Sequence, residues 1–152
     1  MWNLKAVPTT LKDSSTAAQD YLEQIHRLIE EKGYARTIDI AAALGISQAS
    51  VSAMVQRLDA EGLVVYEKYR GLILTDRGRV IAREIVQRHE VLTRLLRRFG
   101  LDEETIYRDV EGMEHHISRP TLRVLTLLTE ELESNPELVA RLKRRMDQAG
   151  GA

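Results

Sequence analysis

Six side chains of the kind that hold hard divalent cations fall at three places in a 152-residue chain. Asp20 and Glu23 are spaced i, i+3, so on a helix their carboxylates project to one side. Glu111, Glu114 and His115 form an ExxEH cluster that shares one face of a helix, and His89 stands between an arginine-rich and a leucine-rich segment. Four carboxylates and two imidazoles suit an oxygen-rich site for Mn²⁺ or Fe²⁺. The chain has no cysteine, which removes disulfides, thiolate ligands and thiol nucleophiles together. Each group also has an ordinary reading. Acids early in a helix compensate its dipole, ExxEH clusters sit on solvated faces, and single histidines pack or face water. Convergence would separate the two readings, because four like charges in a partly buried place repel one another unless cations offset them.

Helices must position these groups, and hydrophobic periodicity supplies them. Residues 1–15, including Trp2, Leu4 and Pro8, show no period and read as an arm ahead of the first helix. That helix is expected over 16–32, with Tyr21, Ile25, Leu28 and Ile29 as its buried stripe and Gly33 as its stop. The segment TIDIAAALGISQASVSAMVQRLDAEG then predicts a short helix capped by Thr37 and reaching Leu44, a turn at 45–47, and a longer helix to about Glu61 capped by Ser47. Val51, Met54, Val55 and Leu58 form its inward face. Its outward face, Gln48, Ala49, Ser50, Ser52, Ala53, Gln56 and Arg57 behind Ser47, is small and tipped with hydrogen-bonding groups, which suits the DNA major groove. LVVYEKYRGLILT predicts strands over 64–68 and 72–75, a wing whose tip offers Lys68 and Arg70 to phosphate or the minor groove. Plain surface helices and hairpins with soluble tips have the same composition.

The second half reads as helical throughout. A long helix is expected from 75–76 to about 99, with Val80, Ile81, Ile85, Val91, Leu92, Leu95 and Leu96 as a broad apolar face. Others follow from 102 to about 117, from Pro120 to Leu132, and from Asn135-Pro136 to Met146. The fold class is therefore mainly α: a winged helix-turn-helix DNA-binding domain over 16–76, then an all-helical metal-binding and dimerisation domain over 77–148. Two recognition helices about 34 Å apart are what a two-half-site operator needs, so a homodimer on double-stranded DNA is expected.

Composition is compatible with that picture. Hydrophobic residues make up 43% of the chain, enough for a packed core. A net charge of −1 leaves DNA attraction to local patches. Seven arginines (77, 79, 83, 88, 94, 97 and 98) cluster on the long helix, either facing DNA or lining a solvated face. No segment approaches the roughly 20 apolar residues of a membrane span, and the N-terminus lacks the order of a secretory signal, so a cytoplasmic address with no membrane partner is expected. An enzyme is not expected. A di-metal hydrolase would need a nucleophile or phosphate-binding motif and would leave the helix-turn-helix unexplained. The alternative in the binding class is a winged-helix regulator of the multiple-antibiotic-resistance type, which takes an organic effector.

DYLEQIHRLIEEKGYAR, VYEKYRGLILTDRG and above all DVEGMEHHIS resemble the manganese transport regulators of the diphtheria-toxin-repressor family, over roughly residues 18–132. The resemblance implies that Asp20, Glu23, His89, Glu111, Glu114 and His115 are the ligands of a dinuclear manganese site, two Mn²⁺ per chain, with Fe²⁺, Co²⁺, Cd²⁺ or Zn²⁺ as substitutes. Iron-responsive members place sulfur-bearing residues where this chain has Asp20 and Glu114, so the carboxylates imply manganese. The iron branch usually carries a further SH3-like domain, for which a chain of this length leaves no room. The implied function is a manganese(II)-activated repressor of manganese-uptake genes, the metals tying the first helix to the fourth and fifth. Zn²⁺, which binds a given site more tightly than Mn²⁺ but accepts lower coordination, is expected to bind and activate poorly. Two features depart from the family pattern: the extra N-terminal residues, and His26 where a tyrosine or another large side chain is expected. His116, about 100° from His115 on an ideal helix, is expected to be structural or to support the ligands.

Overall fold

A computed structural model describes residues 15–150, which form two compact units divided between Val86 and Gln87. The arm read over 1–15, with Trp2 and Leu4, lies outside the described residues except for Ser15.

In the first unit, α1 (Thr16–Lys32) starts where the Ser15 hydroxyl accepts the Ala18 N–H at 3.3 Å. It stops at Gly33, whose N–H donates to the Ile29 carbonyl at 2.8 Å. Its stripe of Ala18, Leu22, Ile25 and Leu28 is buried, while Ile29 is only partly so. The second helix, α2 (Thr37–Leu44), begins at Thr37 itself. Thr37 is therefore not the cap: Arg36 holds that position and makes no capping bond, having no acceptor to offer. Ser47 caps α3 (Gln48–Ala60) as expected, accepting the Ser50 N–H at 3.2 Å. Fully buried Val51 and Leu58 anchor α3, with Met54 and Val55 packed beside them.

The hairpin pairs β1 (Val64–Glu67) with β2 (Gly71–Leu74) antiparallel, Val64 opposite Leu74 and Glu67 opposite Gly71. Its second strand begins one residue earlier than periodicity suggested, because Leu72 N–H donates to the Ala35 carbonyl at 2.9 Å and Gly71 passes against that same backbone. A Cβ at Gly71 would lie 2.5 Å from the Ala35 oxygen, and the residue sits at φ +78°, so glycine is required twice over. The first part of α4 (Asp76–Arg98) closes this core with Ile81, Ala82 and Ile85. Val80, read as part of the buried face, is 47% exposed.

The second unit holds the rest of α4, α5 (Glu103–Met113), a single 3₁₀ turn (Glu114–His116), α6 (Arg119–Ser134) and α7 (Pro136–Ala149). Asp102, Ser118 and Asn135 cap α5, α6 and α7 through their side-chain oxygens, and Pro120 and Pro136 occupy first-turn positions where no N–H is needed. The helix expected to run to 117 ends at Met113. Gly112 weakens it, and the extended backbone of Ile117 prepares the Ser118 cap, so the intervening residues tighten into the 3₁₀ turn. Leu92, Ile106 and Val110 form the core here, with Leu96, Leu101, Ile117 and Leu125 against it. On α6, Val124 and Leu127 are exposed by 64% and 66%.

Most of the α4 arginines serve the fold. Arg88 is buried, Arg77 donates to the Glu61 carbonyl and Arg79 to that of Leu74. Arg94 and Arg98 both bind Glu133 of α6, at 3.1 and 3.3 Å, and Arg97 binds Glu103 at 2.7 Å. The Arg94 hydrogen bond holds the Glu133 carboxyl below its ordinary range, the Arg97 bond does the same for Glu103, and the Thr105 N–H for Asp102. Carboxylates with depressed folded values stabilise the fold fully above their unfolded pKa of about 4, and that stabilisation fades as pH falls below it. Thermal melts should therefore be nearly flat in these groups between pH 5 and 7 and fall toward pH 3, with Glu133→Gln losing part of the drop. A variant melting with the full wild-type acid sensitivity would contradict this tie between α4 and α6.

Candidate metal centre

Ile106, Val110 and Glu114 follow i, i+4, i+8, and the Glu114 N–H donates to the Val110 carbonyl. The stripe that buries Ile106 and Val110 therefore carries Glu114 inward too, and its side chain is 0% exposed. A carboxylate at a core position costs several kcal/mol unless its oxygens are satisfied. One is: Glu114 Oε2 lies 2.8 Å from His89 Nδ1 on α4. The other, Oε1, is buried with no hydrogen-bond partner among the described residues, 3.5 Å from His115 Nε2. Glu111 Oε1 stands 3.8 Å from the same His89 nitrogen. The second unit thus brings His89 and His115 to the two oxygens of the buried Glu114 carboxylate, one of which lacks a hydrogen-bond partner, with Glu111 beside His89. Two imidazoles and two carboxylates form a donor set that a hard or borderline divalent cation satisfies, and the partnerless oxygen is the observation that it fits. The 3₁₀ turn sends His115 inward, its side chain 4% exposed, and leaves His116 exposed.

In the first unit, Asp20 and Glu23 both lie on α1, past its first turn, where the terminal N–H groups no longer need compensation. Glu23 is buried, 8% exposed, and accepts two bonds from Arg27. His26, one turn beyond Glu23, is half-buried.

The expected DNA-reading residues of α3, Gln48, Ala49, Ser50, Ser52, Ala53, Gln56 and Arg57, are all exposed, as is the Ser47 cap. The Ser50 hydroxyl is engaged with Ser47 at 2.9 Å, and Arg57 pairs with Glu61 at 2.9 Å, whereas Gln48, Ser52 and Gln56 lie exposed outside these pairs. Lys68 and Arg70 flank Tyr69, which takes φ +74° at the tip of the hairpin. Arg70 pairs with Glu67 at 3.1 Å and Lys68 lies 5.1 Å above the Tyr69 ring. A groove of about 670 Å³ runs beside this tip, bordered by Arg36, Ile38, Gln48, Tyr66, Lys68 and Tyr69. Arg36, Tyr66 and Tyr69 line this groove although the sequence had not singled them out. Their only signal was basic and aromatic type beside a turn, which strand periodicity does not resolve.

A winged helix-turn-helix followed by helices that bury a partnerless carboxylate between histidines defines a metal-dependent DNA-binding regulator. The family comparison agrees in both halves: residues 13–72 match the iron dependent repressor N-terminal DNA binding domain, and residues 75–143 match its metal binding and dimerisation domain. The chain belongs to this diphtheria-toxin-repressor family, in its manganese transport regulator branch. It is 49% identical over 130 residues to the HTH-type transcriptional regulator MntR of Lysinibacillus sphaericus (strain C3-41), covering 86% of this chain and 94% of that one. To the MntR of Bacillus subtilis (strain 168) it is 55% identical over 105 residues, 69% of this chain and 74% of the relative. Among solved structures it is similar to the manganese regulator SloR, with 27% identity, a TM-score of 0.66, and coverage of 74% of this chain and 53% of that one. A manganese-dependent transcriptional repressor solved with manganese gives 27% identity, a TM-score of 0.62, and coverage of 74% and 52%. The chain spans about half the length of those two solved proteins. The multiple-antibiotic-resistance alternative finds no support, since both halves match metal-dependent repressors. Among the described residues, no single helix is long and apolar enough to cross a membrane.

Proposed function

We propose that this protein is a manganese(II)-activated transcriptional repressor that binds operator DNA as a homodimer in the cytoplasm and controls manganese-uptake genes. The observation that carries the reading is the buried Glu114, with one oxygen on His89 and the other without a partner. Glu111 and His115 beside it supply the remaining donors of that group. The complete ligand set is Asp20, Glu23, His89, Glu111, Glu114 and His115, for two Mn²⁺ per chain. The assignment of Asp20 and Glu23 rests on the resemblance of their segment to the manganese regulators and on the burial of Glu23.

When bound, divalent cations offset the repulsion of four carboxylates and make the protein's field less hostile to phosphate. Glu114 and His89 brace each other and fix both imidazole and carboxylate orientation. Val51 and Leu58 fix α3 so that Gln48, Ser52 and Gln56 face outward, and Lys68, Arg70 and Arg36 set register on the backbone. Ligands drawn from α1, α4, α5 and the 3₁₀ turn after it would couple ion occupancy to the arrangement of paired recognition helices, by favouring the spacing that fits the operator.

Chelator-stripped protein should bind a manganese-uptake promoter fragment weakly, and Mn²⁺ should tighten binding by at least about 100-fold, in the upper range of allosteric coupling. Zn²⁺ should bind in calorimetry yet restore less than a tenth of that gain. DNA binding that is indifferent to EDTA would sink the metalloregulator reading, and equal activation by Zn²⁺ would sink its manganese selectivity.

A further inference from the structure

Glu23 does not wait bare. Arg27, one turn along α1, sends both Nε and Nη2 to the same oxygen, Glu23 Oε1, at 3.1 and 2.6 Å. The carboxylate is nearly enclosed, its side chain 10% exposed, whereas the Arg27 side chain is 42% exposed. The pair is therefore asymmetric: the acid is held in place by its surroundings, and the base can swing out to water at little cost. Two N–H donors converging on Oε1 occupy the lone-pair directions that a cation bound through that oxygen would use. From this geometry we infer that Arg27 is a built-in competitor for the metal at Glu23, satisfying the buried charge while the protein is metal-free and yielding it to Mn²⁺. Arg27 thereby raises the manganese concentration at which the repressor switches. This rests on Glu23 being a ligand.

The competition has a direction that a merely structural ion pair lacks. Removing the guanidinium leaves Glu23 buried without its partner in the metal-free state, but leaves the metal-bound state unharmed. Arg27→Met keeps the apolar stem and drops the charge, and Arg27→Lys keeps the charge but loses the paired N–H geometry. Calorimetric titration with Mn²⁺ should show Kd about five-fold tighter in Arg27→Met and about two-fold tighter in Arg27→Lys, consistent with a partly exposed charge-assisted pair. In parallel, the metal-free melting temperature of Arg27→Met should fall while the Mn²⁺-saturated one stays at the wild-type value. Weaker Mn²⁺ binding in both variants would mean that Arg27 orients Glu23 for the metal, which overturns the proposal. Unchanged Kd in Arg27→Met, with a site lost in Glu23→Gln, overturns the role of Arg27 alone. Unchanged affinity and stoichiometry in Glu23→Gln removes Glu23 from the ligand set, and the competitor with it.

Discussion

Glu114→Gln should lose saturable Mn²⁺ binding, with Kd rising at least about 100-fold, while the metal-free protein becomes no less stable than wild type. The two effects have opposite signs for one reason. Glu114 is fully buried with one oxygen lacking a partner, so its charge is a burden on the metal-free fold. The isosteric amide keeps an oxygen for His89 and removes that charge, so chelated Glu114→Gln should melt slightly higher, by the equivalent of about 1 kcal/mol. Metal inverts the ranking. At an ion concentration of about 100 times the wild-type Kd, wild type gains roughly 2.7 kcal/mol by mass action and a variant weakened about 100-fold gains no more than about 0.4 kcal/mol. Melts in EDTA and in Mn²⁺ should therefore cross, and manganese-dependent operator binding should vanish in a protein that remains folded. Melts that do not cross, with Mn²⁺ affinity retained, would move the centre away from Glu114.

The second large effect concerns a residue that is not itself a candidate ligand. Gly78, in the first turn of α4, packs so closely on the residue leading into β1 that a Cβ would lie 2.0 Å from the Leu63 carbonyl oxygen and 2.9 Å from its carbon. Both neighbours are backbone, and both are pinned: the Leu63 carbonyl accepts the Thr75 N–H at 3.1 Å, and the Gly78 N–H donates to the Thr75 hydroxyl at 3.1 Å. Neither side can give by a rotamer change, so α4 or β1 must shift. Gly78→Ala should cost about 3 kcal/mol in urea denaturation, at the upper end of overpacking, although alanine is the better helix former by about 1 kcal/mol. An alanine variant as stable as wild type would show that the start of α4 is free to move. Since α4 carries Ile81, Ala82 and Ile85 into the same core as α3, the damage should extend to DNA binding.

Much of this was legible beforehand where information is local. Ser47 and Asn135 announced helix starts because a cap needs only a short acceptor three residues ahead of an N–H. Gly33 and Gly45 announced stops because a left-handed residue favours glycine. The same locality explains the misreadings. Thr37 has a capping side chain but sits one residue inside its helix, and α5 breaks at Met113 under the demand of the next cap, which a periodic stripe does not register. Val80 fits the helical period yet faces water, since period locates a face but not its edge.

For the metal centre, residue type and spacing by themselves determined the six candidates, their oxygen and nitrogen chemistry, and the exclusion of thiolate ligands. That follows because donor identity is a property of the side chain. Only the tertiary structure decided that Glu114 is buried with an oxygen unpartnered, that His89 braces it from another helix, and that Arg27 is already seated on Glu23. Burial and contacts across 25 residues depend on how helices pack, and packing is set by all the apolar side chains together rather than by the ligands.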